Sequence, residues 1–269
     1  MAQIELSPLR RILMNKYILS LVWIGSLALS HAGTDSKDMK ELTPVVAQTP
    51  KDAFAVFTGF GGRNSSWYSY AGAIYALNGD INSSGLFLRS QIGGGQYAYS
   101  TPLIQGRVRG TIFDADLSFG YKNYFDKDWS ASIFVGPHYR SRDLNVVDPG
   151  SDITSSDKVG ARTGLEITGT PGCIYLNGQA QFSTVDMAVW SRARVGYNFT
   201  SDGIIVGPEG LYFRDKDFDE YRGGAFTTFQ IDECVALTVS GGYAHFTSPN
   251  GVGSSNSSPY GDVGLSFGF

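Results

Sequence analysis

The sequence predicts an all-β fold: a transmembrane antiparallel β-barrel of the bacterial outer membrane, with about twelve strands and a cleaved signal peptide before them. Three observations carry this expectation. Apolar and polar residues alternate with period two along long segments, giving each strand one greasy and one polar face. The connections fall into tight turns and longer loops in rough alternation, the rim asymmetry of outer-membrane barrels. The chain also ends on such a strand, with Val263, Leu265, Phe267 and a final Phe269 on one face.

The elements follow in order. Residues 18–29 form an apolar run behind Arg10, Arg11 and Lys16 and before Ser30-His31-Ala32. A basic start, a short apolar centre and small residues at the end read as a secretory signal peptide, residues 1–32, with Met1 and Met14 both open as starts. The run is too short to span a bilayer comfortably as a helix. Residues 33–51 are polar with two prolines, Pro44 and Pro50, and read as a flexible periplasmic leader. The barrel is expected over residues 52–269.

Its strands are expected near 52–60, 67–77, 84–93, 107–122, 129–141, 157–168, 173–184, 187–199, 203–213, 217–231, 234–246 and 258–269. The alternation is plain in Phe113, Ala115, Leu117, Phe119 and Tyr121 against Asp114, Asp116, Ser118, Gly120 and Lys122. It recurs in Val159 to Ile167, in Ile174 to Phe182 and in Val235 to Tyr243. Most segments reach the ~9–11 residues a tilted strand needs to cross hydrocarbon. Tight turns rich in Asn, Asp, Gly and Pro stand at 123–128, 169–172, 200–203 and 232–233, with longer loops at 93–106, 142–156 and 247–257. The short link at 183–187 breaks the pattern on the long-loop side.

Composition agrees. There are 34 glycines in 269 residues, 13% aromatics and only 17% charged residues. Soluble domains carry about 25% charge. Alternation lets a mean hydropathy of −0.10 coexist with an apolar exterior. Trp67, Tyr97, Tyr99, Tyr139, Tyr243 and Tyr260 fall toward the long-loop rim, and Tyr121, Trp129, Tyr197 and Phe269 toward the short-turn rim, where interfacial aromatics belong. A net charge of −4 argues against nucleic acid as a partner. Two cysteines and three histidines exclude a Cys/His zinc module.

Parity places Asp114, Asp116, Lys122, Lys158, Arg162, Glu166, Arg192 and Arg194 in the lumen, together with Tyr175, Asn177, Gln179, Gln181 and Trp190. The charges read as an ion-pair network filling a narrow barrel. The rings and amides leave a saccharide-binding wall open. Catalysis has little support, because His138 points inward and His245 outward; His138 with Ser130 or Ser132 is the arrangement a membrane esterase would need. Cys173 and Cys234 are both expected to point inward, on strands too far apart for a disulfide. No cofactor is expected.

Several strings carry a resemblance. Trp67-Tyr68-Ser69-Tyr70-Ala71-Gly72, Asn78-Gly79-Asp80 and Ser84-Gly85-Leu86 are similar to the opening of the cellulose biosynthesis protein BcsS family. Gly196-Tyr197, Val206-Gly207-Pro208-Glu209 and Tyr221-Arg222-Gly223-Gly224-Ala225 resemble its later part. The resemblance implies a non-catalytic, envelope-associated accessory role in bacterial cellulose production or export, and transfers no catalytic residues. It implies cellulose or other cellulose-synthesis components as partners, while the strand pattern independently implies outer-membrane lipid as surroundings. A general small-solute porin and a barrel-embedded lipid A or phospholipid hydrolase stand as alternatives.

Overall fold

The computed structural model describes residues 52–100, 103–104, 106–147, 154–199, 203–216, 218–247 and 256–269. The expected signal peptide (1–32) and leader (33–51) lie outside the described residues, as do parts of the expected long loops.

Twelve strands close into one antiparallel barrel: β1 (Phe54–Arg63), β2 (Ser66–Ala76), β3 (Gly85–Ser100), β4 (Arg107–Tyr124), β5 (Trp129–Leu144), β6 (Ser156–Gly169), β7 (Ile174–Ser183), β8 (Ala188–Asn198), β9 (Ile204–Arg214), β10 (Asp219–Asp232), β11 (Val235–Thr247) and β12 (Asn256–Gly268). Each strand pairs with its sequence neighbours, and β1 closes the ring on β12 through Ala55↔Gly268 to Arg63↔Tyr260. No edge is left open, the condition a sheet must meet in a solvent that offers no hydrogen bonds.

The outer face is apolar. Leu117 and Phe119 on β4, Ile133 and Val135 on β5, and Leu165 and Ile167 on β6 are all exposed and form a contiguous band. Phe119 lies opposite Val135, and Ile133 opposite Leu165. A band of this size suits lipid and would be a liability in water.

One expected boundary changes most. Strand β3 runs on to Ser100, through the Gly-rich segment read as loop. Its glycines make room for rings from the next strand: a Cβ at Gly93 would stand 2.1 Å from the Tyr68 hydroxyl. On β4, a Cβ at Gly120 would meet the Phe87 ring at 2.3 Å. These glycines are strand positions under aromatic side chains.

The rim asymmetry is only partial. The rim carrying the chain ends has the turns 125–128, 170–173, 199–203 and 233–234, but also the longer connection 77–84. The opposite rim has connections at 101–106, 145–155 and 248–255, yet β1 and β2 join through Asn64-Ser65 alone. Links 184–187 and 215–218 on that rim are short as well. Below, the two ends are called the turn rim and the loop rim.

The cysteines correct a further expectation. Cys173 and Cys234 are free and exposed. Each lies in a turn just before its strand begins, where strand alternation does not set direction. Tyr260, at the loop rim, points inward and is buried.

Candidate functional site

Strand alternation sends Asp114 and Asp116 of β4 into the lumen, where both are buried. Asp116 accepts from Arg89 of β3 at 2.8 Å and from Arg162 of β6 at 2.5 Å, so one carboxylate bridges strands on both sides of its own. Asp114 accepts from Arg140 Nε at 2.8 Å, lies 2.9 Å from His138 Nε2, and takes a 3.4 Å bond from the Tyr68 hydroxyl. Register explains how β6 reaches β4 across β5. Arg162 lies opposite Gly136 and His138 opposite Gly160, so side chains can lean over the intervening strand. The Arg89 guanidinium also sits 4.7 Å from the Phe134 ring centre, a cation–π contact that helps hold it.

A second group lines β6 to β9. Glu166, Gln179 and Arg192 are consecutive register partners, as are Thr168, Asn177 and Arg194. Gln179 donates to Glu166 at 2.8 Å, Asn177 donates to Glu166 and Thr168 at 3.0 Å each, and Arg192 donates to Gln179 at 3.1 Å. Arg194 pairs with Glu209 of β9 at 2.7 Å, and Glu209 also accepts from Tyr260 of β12 at 3.2 Å. Tyr175 meets the Phe226 ring of β10 at 6.0 Å between centres, and Gln181 lies opposite Trp190.

At the loop rim, Lys158 joins neither group. It pairs with Asp186 at 2.5 Å, in the 3-10 turn Val185–Met187 that links β7 to β8. This link folds inward. Asp186 also pairs with Arg140 at 3.5 Å and Arg142 at 3.3 Å, and its carbonyl accepts from the Lys216 amide at 3.0 Å. Arg142 of β5 reaches Asp215, beyond β9, at 3.4 Å, a contact across the mouth. Asp186 and Met187 hold φ values of 56° and 49°, which cost side-chain-bearing residues about 1–3 kcal/mol each. Burial pushes the Asp186 carboxyl up, but the Lys158 bond and the Arg142 and Arg140 charges outweigh it and hold it below the ordinary aspartate value.

His138 is 1% exposed and its partner is Ser183, not Ser130 or Ser132. The Ser183 hydroxyl lies 2.7 Å from Nδ1, while Asp114 lies 2.9 Å from Nε2. Serine, imidazole and carboxylate in line resemble a nucleophile–base–orienter set. Two features oppose that use. Arg162 Nη2 is 2.7 Å from the same Nε2, and one nitrogen cannot both donate to Asp114 and accept from Arg162. Ser183 is also 3% exposed and takes the Val185 amide at 3.1 Å, so its oxygen is enclosed.

Arg89, Arg140, Arg142, Ser183, Asp186, Glu209 and Asp215 complete these clusters and were not among the inward residues read from sequence. Parity alone would have found Arg140 and Arg142, which share the His138 face; nothing in sequence places Asp186 of link 184–187 or Asp215 of link 215–218 against them.

The sequence family described as cellulose biosynthesis protein BcsS matches residues 55–269. None of the curated proteins matches the chain. Solved structures with a similar fold include a KdgM porin in complex with disordered oligogalacturonate, at 12% identity and a TM-score of 0.40 over 80% of this chain and 99% of that one. LpxR from Salmonella typhimurium is 11% identical, with a TM-score of 0.46 over 80% of this chain and all (100%) of that one. The TodX deltaS2S3 mutant monoaromatic hydrocarbon channel is 8% identical, with a TM-score of 0.50 over 81% and 90%. At such identities the likeness concerns the fold alone.

Proposed function

Because the chain belongs to the cellulose biosynthesis protein BcsS family, matched over residues 55–269, we propose that it serves cellulose production as a non-catalytic scaffold barrel of the outer membrane. It reaches that membrane after cleavage of residues 1–32, with its turn rim toward the periplasm. The observation carrying this reading is the ion pairing of inward charges between strands that are not neighbours. Asp116 is tied to β6, Arg142 to Asp215, and Arg63 of β1 to Glu220 of β10 at 3.5 Å. Twelve strands lie between the eight that side chains just fill and the sixteen that leave a channel, so the side chains decide whether the lumen conducts. Here paired charges occupy it, which favours a scaffold over an open porin.

The enclosed Ser183 and the doubly claimed His138 nitrogen favour a structural role over hydrolysis. A gene deletion complemented by the intact chain tests the process: loss and recovery of cellulose output are expected, and unchanged output overturns the role. Fractionation is expected to place the protein in the outer membrane, and planar-bilayer recordings to show no steady conductance. A stable porin-sized current, or ester hydrolysis abolished by Ser183→Ala, would replace the scaffold reading.

A further inference from the structure

We propose that the turn-rim end of the lumen holds a binding site for a neutral saccharide, a glucan chain end if the cellulose role above holds. A cavity of about 270 Å³ opens there, beneath the connection 77–84. This lies just under the ~300 Å³ at which ordinary ligand pockets begin, a size for a chain end rather than a whole strand of polymer.

Two register rows of the wall supply its floor. One reads Lys122, Ser132, Glu166 across β4, β5 and β6; the next reads Tyr124, Ser130, Thr168. All six line the cavity. Elsewhere in the lumen Asp114, Asp116, Arg162 and Arg194 are each held in ion pairs. In these rows the pairing lapses. Lys122 makes no ion pair among the described residues; its ammonium has a 3.4 Å bond to the Ile81 carbonyl and sits 4.7 Å from the Tyr124 ring centre. Glu166 receives both its amide donors on Oε1, leaving Oε2 without a partner among the described residues. The hydroxyls of Ser130 and Ser132 likewise have no side-chain hydrogen bond there.

The Glu166 Oε2 acceptor and the Ser130 and Ser132 hydroxyls, left open on one wall among the described residues, are the chemistry of ligand recognition. The lining fixes the ligand class. Lys122 and Lys127 oppose Asp80, Asp128 and Glu166, so the charge is close to balanced and disfavours a strongly ionic guest. Phe87 and Tyr124 add ring surface beside the hydroxyls. A pyranose offers that combination, with hydroxyls around its edge and C–H groups on its faces. The connection 77–84 forms a built roof: Asn78 donates to Ser83 at 2.7 Å and to the Ser84 carbonyl at 3.1 Å, and Tyr124 reaches the Ile81 carbonyl at 3.4 Å.

The test uses the full chain in detergent micelles, titrated with cellotetraose and with a tetrameric uronide of matching length. Calorimetry and the intrinsic tryptophan fluorescence of the chain read binding. Saturable cellotetraose binding is expected, weakened about tenfold by Glu166→Gln and by Ser132→Ala, the loss of one hydrogen bond to a polar ligand. Lys158→Ala, at the other rim, is expected to leave it unchanged. Heat-dependent gel mobility confirms that each variant keeps its barrel. No saturable binding, binding indifferent to Glu166 and Ser132, or preference for the uronide overturns the site. Cellulose output that depends on the gene while cellotetraose fails to bind removes the site and keeps the role. Binding without any effect on cellulose does the reverse.

Discussion

Replacing Asp116 with alanine probes whether the lumen is filled or merely lined. The Asp116 carboxylate is 1% exposed, with Arg89 and Arg162 at 8% and 10%, and it is the shared acceptor of both guanidinium groups at 2.8 and 2.5 Å. Its removal leaves two cations buried with no carboxylate between them. Breaking a buried pair costs about 3–5 kcal/mol, most of it from the charge left behind. If water filled the lumen, the same groups would behave as a surface pair worth about 0–1 kcal/mol. The two cases are far enough apart to measure. Chemical unfolding of the barrel in phospholipid vesicles, followed by tryptophan fluorescence, is the assay. A loss of 3 kcal/mol or more is expected in Asp116→Ala. Most of it should return when Arg89 and Arg162 are also made methionine, since an apolar cluster of similar volume needs no counter-charge. A loss below about 1 kcal/mol, with steady conductance in the intact chain, would refute the filled lumen.

Three further outcomes are expected. Gly93→Val places a side chain within 2.1 Å of the Tyr68 hydroxyl and is expected to cost about 1–3 kcal/mol, largely recovered by adding Tyr68→Ala; equal stability of Gly93→Val and the intact chain would remove the ring-over-glycine account of β3. Asp186 is held below the ordinary aspartate value, so its ionised form stabilises the inward link above about pH 4, and that contribution is lost as pH falls through the depressed value. A spin label at position 187 is expected to stay ordered at pH 7 and loosen in strong acid, and to be loose at both in Asp186→Asn; order that survives acid contradicts the latch. Both cysteines are expected to take maleimide without prior reduction, Cys234 more slowly than an unperturbed thiol, because desolvation and the nearby Asp52, Asp232 and Glu233 carboxylates raise it. A disulfide-linked mass would contradict the exposed, separate turns.

Period-two patterning carried the strand number and the closed architecture, because it depends only on the choice between lipid and lumen at each residue. It failed where residues are indifferent to that choice. Gly93, Gly94 and Gly95 fit either a loop or a strand, and only Tyr68 on the neighbouring strand decides it. The site was legible to the same depth. Alternation gives the face on which Asp114, Arg162 or Glu166 lies, but not which partners it meets. Those depend on register and on gaps such as Gly136 of β5, opposite Arg162, that let β6 reach β4 across β5. Ser183 escaped notice for that reason: it lies far from His138 in sequence and is brought to it only by the stagger of β5, β6 and β7. The inward links escaped for another, since a left-handed Asp186 leaves no mark that a surface turn would not also leave.

The low charge of the chain and the density of ion pairs inside it have one cause. Half of each strand faces lipid and cannot carry charge, so the charges that remain are concentrated on the inner half, where they must be paired or solvated. Pairing is nearly complete from the loop rim down to the Asp116 row and lapses at the Lys122–Ser132–Glu166 row. A barrel needing only stability had no reason to stop there, since Lys122 and Glu166 line the same cavity without touching. The change of regime along one wall separates the part of the lumen that holds the fold from the part free to hold something else. It also sets the order of experiments: Asp116 variants should alter stability and leave cellotetraose titrations alone, while Glu166→Gln should do the opposite. If both substitutions moved both readouts together, the division would be wrong and the lumen would be a single structural network.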